Sequence, residues 1–126
     1  MSTDERRPRS VYGVGEEPDP RFSLANERTA LAWMRTAVAL IGGGIALISF
    51  ADTGALPPWA MALGLGAALG GAGVAIRAAR SWARIERALR LSEPLPPPNG
   101  LYVVAVAVVV AAAVIVGIAL GGLLSA

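Results

Sequence analysis

Apolar residues along the chain are gathered into three blocks, which are separated by polar or proline-containing stretches. The blocks cover residues 31–51, 58–76 and 101–124, and each approaches the roughly 20 residues that a helix needs to cross a bilayer core. The third block contains no charged residue. This pattern predicts an all-α membrane protein with three transmembrane helices.

The sequence that follows the second block, RAARSWARIERALRL, also has a helical pattern. Its arginines recur at intervals of three and four residues, so they share one narrow helical face. These residues are Arg77, Arg80, Arg84 and Arg87. Trp82 and Leu89 fall on a different face. We expect the second transmembrane helix to extend into an amphipathic cytoplasmic helix, which the prolines of SEPLPPPNG end near Leu91.

The N-terminal residues are polar and charged and are interrupted by proline and glycine. This composition predicts a disordered cytoplasmic tail over residues 1–18 and one three-helix membrane domain over residues 19–126. The tail lacks the short apolar core that a secretory signal peptide needs.

Basic residues are placed on one side of the predicted membrane. All eleven are arginines, and they lie before or just inside the first block, or between the second and third blocks. The loop between the first two blocks carries one charged residue, Asp52, and no basic residue. Because basic residues mark the cytoplasmic side, we expect a multi-pass inner or plasma membrane protein with a cytoplasmic N-terminus and an external C-terminus. The same bias accounts for the net charge of +2 without a nucleic-acid partner.

Composition also excludes several kinds of chemistry. The chain has no cysteine and no histidine, which rules out disulfides, zinc fingers and histidine acid–base catalysis within it. No carboxylate pair, nucleophile–base set or metal-ligand cluster is visible in the sequence. We therefore predict no enzymatic activity, no catalytic residue, no bound metal and no cofactor.

Three further arginines lie before or just inside the first block. Arg21, Arg28 and Arg35 are spaced by seven residues, close to two full helical turns, so a helix that includes Arg21 places all three on one face. Two interpretations stay open. The side chains can snorkel to lipid phosphates, or they can form an anion-facing surface, since ionisable groups at membrane depth are costly and often functional.

Glycine is concentrated in the first two blocks. Gly66 and Gly70 form a GxxxG pair, and Gly42 begins a run of three glycines. Small residues let membrane helices approach closely, so we predict helix packing at these positions. Because three helices rich in Gly and Ala bury little within one chain, we also predict a homo-oligomer.

The stretch RFSLANERTALAWMRTAVALIGGGIAL resembles the opening of the YidH-type membrane domain of unknown function. In that family a short arginine and aromatic lead-in precedes A-N-E-R-T, a leucine, a tryptophan and a polar or basic residue. The resemblance covers residues 20–122. That family is similar to the membrane domain of the eukaryotic vacuolar transporter chaperone complex, whose subunits surround a path for polyphosphate.

The resemblance implies roles for individual residues. Arg21 and Arg28 are expected to line a conduit, and Glu27 is expected to pair with Arg77 or Arg80. Arg35 extends the basic stripe along the same helix. The implied partners are the lipid bilayer, phosphate or polyphosphate anions, and further copies of the chain, in a pentamer by analogy with the vacuolar complex.

Two functions are compatible with these features. The first is an oligomeric anion conduit or transporter subunit in which arginines of the first helix face the axis, because rings of basic side chains suit anion pores. The alternative is a non-catalytic structural membrane module that anchors or assembles a partner. In that case the arginines serve lipid contact and topology.

Overall fold

The computed structural model describes residues 4–125, and within them it contains four helices and no strand. The helices are α1 (Arg9–Tyr12), α2 (Pro20–Asp52), α3 (Trp59–Arg90) and α4 (Asn99–Leu124). The last three are long and apolar enough to cross a membrane. The predicted all-α fold with three transmembrane helices is therefore confirmed.

Helix α2 begins well before the first apolar block. Asp19 caps it, because its carboxylate accepts a hydrogen bond from the backbone N–H of Arg21 at 2.9 Å. Pro20 follows at the first helical position, where its missing N–H has no intrahelical role. Because the helix starts here, Arg21 belongs to it. The helix ends at Asp52 with Thr53 as its C-cap, and Gly54 with a φ of 77° turns the chain.

Helix α3 continues without a break through the arginine-rich stretch to Arg90. The predicted extension of the second transmembrane helix is therefore confirmed, whereas its cytoplasmic location stays a prediction. After Arg90, Leu91 caps the helix and Ser92 takes a φ of 54°. The prolines that follow cannot rejoin a helix.

The chain divides into two compact units, one up to Leu95 and one from Pro96 onward. In the first unit α2 packs along α3, and α1 packs against α3. The second unit contains α4, which is apolar along its whole length.

Helices α2 and α3 approach each other backbone to backbone. A Cβ atom added to Gly71 would lie 2.7 Å from the carbonyl oxygen of Ala37, and one added to Gly44 would lie 2.5 Å from that of Gly64. Nearer the other end, the side-chain amide of Asn26 donates to the carbonyl of Trp82 at 3.1 Å. These contacts define an antiparallel register that pairs residue 26 with 82, 37 with 71, and 44 with 64.

A seven-residue repeat of small side chains permits this approach. The repeat consists of Ala30, Ala37, Gly44 and Ala51 in α2 and of Gly64, Gly71 and Ala78 in α3. Residues seven apart in a helix lie on the same face, so the two series form facing seams. In membranes such small residues replace hydrophobic burial as the source of close helix packing.

The glycines that the sequence analysis selected are different ones. Gly42, Gly66 and Gly70 each have open space within 4 Å of the position a Cβ would occupy. None of them contacts the other helix of the hairpin, so helix packing at these positions stays a prediction. The physical reason for the missing contact is phase, because Gly66 and Gly70 lie on the side of α3 that turns away from the seam of Gly64 and Gly71.

Residues 4–18, which the composition predicts to be a disordered tail, are folded in the structure. This segment contains α1 and folds onto the end of α3, where Val11 is buried. Its polar composition gives no sign of the specific contacts that it makes with Arg87 and Arg90. Residues 1–3 of the predicted tail lie outside the described residues.

The two neighbouring glycines Gly71 and Gly70 provide a matched test of the seam. Gly71→Ala should lower the melting temperature in detergent, because the added Cβ forces α2 and α3 apart at a cost of about 1–3 kcal/mol. Gly70→Ala meets open space and should preserve or slightly raise stability, since alanine favours helix by up to about 1 kcal/mol over glycine. Equal melting temperatures for the two variants would contradict the close α2–α3 contact.

Candidate functional site

The arginines of α2 form one exposed face. Arg21, Arg28 and Arg35 all lie in the helix and are exposed in the chain. At 100° per residue, Arg28 is turned about 200° from the inward-facing Asn26. The stripe therefore lies on the side of α2 opposite to α3.

The arginines of α3 form a second exposed face, which lies on the side of α3 opposite to α2. Arg80 is turned about 180° from Gly71, which contacts α2. Arg77 and Arg84 lie within the same outward arc, and all three residues are exposed. The hairpin thus carries cations on both of its outer faces and none of them in the seam between its helices.

The two faces lie at the same height. The register that pairs Asn26 with Trp82 also places Arg28 level with Arg80, and Arg21 level with Arg87. A belt of arginines therefore surrounds one end of the hairpin. Guanidinium groups bind phosphate and carboxylate oxygens with two parallel N–H donors, so the belt is chemically suited to anions.

The ion pair that was expected between Glu27 and Arg77 or Arg80 is not formed within the chain. Glu27 is exposed, and among the described residues it has no ion-pair partner within 4 Å. The geometry explains this result, because both arginines lie on the far side of α3 from α2.

A different acidic residue, Glu86, holds the two helices together at this end. Its carboxylate is buried and accepts a hydrogen bond from the hydroxyl of Ser23 at 2.6 Å. The side-chain amide of Asn26 donates to the same carboxylate at 3.2 Å and also to the carbonyl of Trp82. We call Ser23, Asn26, Trp82 and Glu86 the polar junction.

The polar junction fixes the register chemically. An unpaired buried carboxylate is expensive, so Glu86 must remain beside both of its donors. If α2 slid along α3 by one helical turn, the hydrogen bonds from Ser23 and Asn26 to Glu86 would all break. Among the described residues no buried side-chain nitrogen or oxygen lacks a partner, so the network is complete as it stands.

Arg90 attaches the N-terminal segment to the end of α3. Its guanidinium is buried and donates from Nε to the carbonyl of Val14 at 2.9 Å, from Nη2 to that of Tyr12 at 3.3 Å, and from Nη1 to Glu17 at 3.2 Å. The backbone N–H of Glu16 donates to the carbonyl of Arg90 at 3.0 Å. We call this set of contacts the tail clamp.

Gly15 makes the tail clamp sterically feasible. It has a φ of 61°, and the carbonyl of Arg90 occupies the space where a Cβ would be. Only a residue without a side chain fits this approach without strain. Arg87 adds a hydrogen bond to the carbonyl of Ser10 at 2.6 Å, so it is engaged with the tail rather than free for a ligand.

Aromatic and charged groups complete the tail clamp. The Tyr12 ring lies 6.4 Å from that of Trp82 and receives the guanidinium of Arg6 at 4.6 Å. Hydrogen bonds from Arg6 lower the pKa of Asp4 to about 2, and hydrogen bonds from Arg6 and then Arg90 lower the pKa of Glu17. Both carboxylates are therefore charged at neutral pH and balance two of the arginines.

Four interacting residues of this end were not predicted from the sequence, namely Ser23, Asn26, Glu86 and Arg90. A signal for two of them was present, because Asn26 falls in phase with the small-residue seam of α2, and Glu86 lies off the arginine face of α3. A polar residue on the inward face of an apolar helix needs a hydrogen-bond partner. No comparable signal identifies Arg90, whose partners are mainly backbone carbonyls of the tail.

Among residues 4–125 no group of three or more acidic, histidine or cysteine side chains could hold a metal ion. The exposed guanidinium groups at this end of the hairpin have the donor geometry that suits anions. The polar junction and the tail clamp position those groups but are themselves saturated with internal partners.

A model of the family described as a domain of unknown function (DUF202) matches residues 21–88. The inner membrane protein YidH of Escherichia coli K12 is 41% identical over 110 residues, which cover 87% of this chain and 96% of the relative. The uncharacterized protein Rv2272 of Mycobacterium tuberculosis H37Rv is 38% identical over 110 residues, with 84% and 90% covered. No solved structure matches the chain. The matched segment contains the hairpin with its polar junction and ends before Arg90.

The polar junction can be tested at Asn26. Asn26→Leu keeps the approximate volume but removes a hydrogen bond from the buried Glu86, which should cost about 1–3 kcal/mol of unfolding free energy. Glu27→Gln is the control, because it changes an exposed neighbour without an ion pair and should alter stability by less than about 0.5 kcal/mol. Denaturant unfolding in one detergent measures both. Wild-type stability of Asn26→Leu would contradict the assigned role.

Proposed function

We propose that this chain, which belongs to the DUF202 family, is a subunit of an oligomeric conduit for phosphate-rich or other anions in the inner or plasma membrane. The observation that carries the proposal is the arginine belt at one end of the hairpin. Arg28 and Arg35 on α2 have no carboxylate within 4 Å among the described residues.

Uncompensated cations on an apolar helix require an external partner. Arg35 lies inside the first apolar block, where a charge is costly unless it meets water, an anion or an opposite charge. The inward side of α2 is already occupied by the seam and the polar junction. The arginine stripe of α2 therefore faces away from the hairpin. An anion bound there would neutralise its positive charge directly.

A conduit requires several copies of the chain. Two helices in backbone contact leave no channel between them, whereas a ring of hairpins with α2 toward the axis would place Arg28 and Arg35 in successive rings. Rings of basic side chains select anions in pores. The pentamer implied by the resemblance to the vacuolar complex is one such ring.

The orientation that we propose places the arginine belt in the cytoplasm. All eleven arginines lie in the tail, in the half of α2 that begins at Pro20, or in the half of α3 that ends at Arg90, as the positive-inside rule requires if this end is cytoplasmic. The relative from Escherichia coli is named an inner membrane protein, which supports the same membrane for this chain. Solutes would then meet the belt on the cytoplasmic side.

A structural membrane module is the second candidate. One observation favours it: Arg28 and Arg35 are exposed on the outer face of a single hairpin, so lipid phosphates can reach them by snorkelling. In this case the rigid end formed by the polar junction and the tail clamp would present a docking surface to a partner. The arginines would serve anchoring alone.

Anion flux distinguishes the two candidates. The protein is reconstituted in liposomes, and efflux of phosphate and of short polyphosphate is compared for wild type, Arg28→Gln/Arg35→Gln, and the tail control Arg9→Gln. The double variant should keep its assembly but lose about tenfold or more of its flux, which corresponds to about 1.4 kcal/mol in the barrier. Arg9→Gln should match the wild type.

If the double variant keeps the anion flux of the wild type, the α2 arginines do not take part in conduction. The structural module would then be favoured. Wild-type liposomes that leak no faster than protein-free ones would contradict the conduit itself.

A further inference from the structure

The outer face of α3 contains an open cleft of about 550 Å³ that the proposed conduit does not use. It lies on the side of α3 opposite to α2, since Arg80 is turned about 180° from the contact residue Gly71. Its lining residues are Gly73, Ile76, Arg77, Arg80, Ala83 and Arg84. We call it the α3 cleft.

One half of the α3 cleft is strongly cationic. Arg77, Arg80 and Arg84 have no carboxylate within 4 Å among the described residues. The next arginine on this face, Arg87, differs because it donates to the backbone of Ser10. Three guanidinium groups within two helical turns can jointly bind a phosphate or phosphodiester group through several charge-assisted hydrogen bonds.

The other half of the α3 cleft is apolar and continues along the helix. Beyond Gly73, the positions Gly70 and Gly66 also have open space where a side chain would begin. The exposed side chains of Ile76 and Leu69 border this strip on one side. The result is an exposed strip of helix surface without polar side chains that leads away from the arginines.

The boundary between the two halves coincides with the predicted membrane surface. The hairpin register places Arg77 level with Leu31, where the first apolar block begins. Arg84 lies about 10 Å further along the helix axis, on the polar side. An occupant of the α3 cleft would therefore have its anionic part at headgroup level and its apolar part inside the bilayer.

We propose that the α3 cleft is a binding site for an anionic phospholipid. The phosphodiester group is held by Arg77, Arg80 and Arg84, and an acyl chain lies along the glycine strip that begins at Gly73. A soluble phosphate would use the arginines alone and leaves the apolar continuation without a role. The site is independent of the α2 stripe, which lies on the opposite side of the hairpin.

Native mass spectrometry of the detergent-purified full chain tests this site, with phosphatidylglycerol, phosphatidylcholine and inorganic pyrophosphate as probes. Phosphatidylglycerol should bind in preference to phosphatidylcholine, and Arg77→Gln/Arg80→Gln/Arg84→Gln should weaken its binding by at least about tenfold. Arg7→Gln/Arg9→Gln is the charge control in the N-terminal segment, where both residues are exposed, and it should bind phosphatidylglycerol as the wild type does.

Gly73→Leu separates a lipid from a free anion. The new side chain enters open space and fills the apolar strip, so it should weaken phosphatidylglycerol binding and leave pyrophosphate binding unchanged. Equal phosphatidylglycerol binding by the wild type and the triple arginine variant would overturn the proposal. Unchanged lipid binding by Gly73→Leu, together with loss of pyrophosphate in the triple variant, would identify a soluble-anion site and also overturn it.

Discussion

The hairpin of α2 and α3 depends on how closely two helix backbones approach each other at Gly44, Gly64 and Gly71. At these positions a carbonyl oxygen of one helix lies where a side chain of the other would begin. Apolar burial does not drive helix association in a bilayer, because lipid is as apolar as the helix surface. Dispersion contacts at this distance, together with buried hydrogen bonds, therefore determine which faces meet. Every other face of the two helices is directed outward as a consequence.

The polar end of the hairpin converts this seam into one register. Glu86 accepts hydrogen bonds from Ser23 and Asn26, and a helix that slipped by one turn would leave that carboxylate unpaired. Because the register is fixed, the arginines of both helices lie at one height and on opposite outer faces. The same arrangement puts the stripe that we propose for anions and the cleft that we propose for lipid on separate faces of one hairpin. The tail clamp at Arg90 then covers the end of α3 and engages Arg87.

Periodicity was sufficient to predict much of this architecture. The three apolar blocks and the arginine intervals predicted three membrane helices and the extension of the second, and the ANERT-containing stretch identified the YidH-type family, which is confirmed. The likeness to the vacuolar complex and the oligomer stay predictions.

Contact partners were harder to predict, because a GxxxG count does not reveal helix phase. Gly66 and Gly70 were chosen, whereas the heptad of Gly64 and Gly71 forms the contact. The family motif indicated Glu27 as the acidic residue that interacts with α3, whereas the buried acidic residue between the two helices is Glu86. The tail contacts involve backbone carbonyls, which no residue pattern specifies.

Cysteine cross-linking tests the register most directly, since the chain has no native cysteine. Ala30→Cys with Ala78→Cys places two thiols level in the seam, and Arg28→Cys with Arg80→Cys places two thiols level on opposite outer faces. A disulfide requires Cα atoms within about 7 Å. The inward pair should therefore form a disulfide within one chain under mild oxidation, and the outward pair should not. An intrachain disulfide in the outward pair, with none in the inward pair, would contradict the hairpin on which the arginine faces depend.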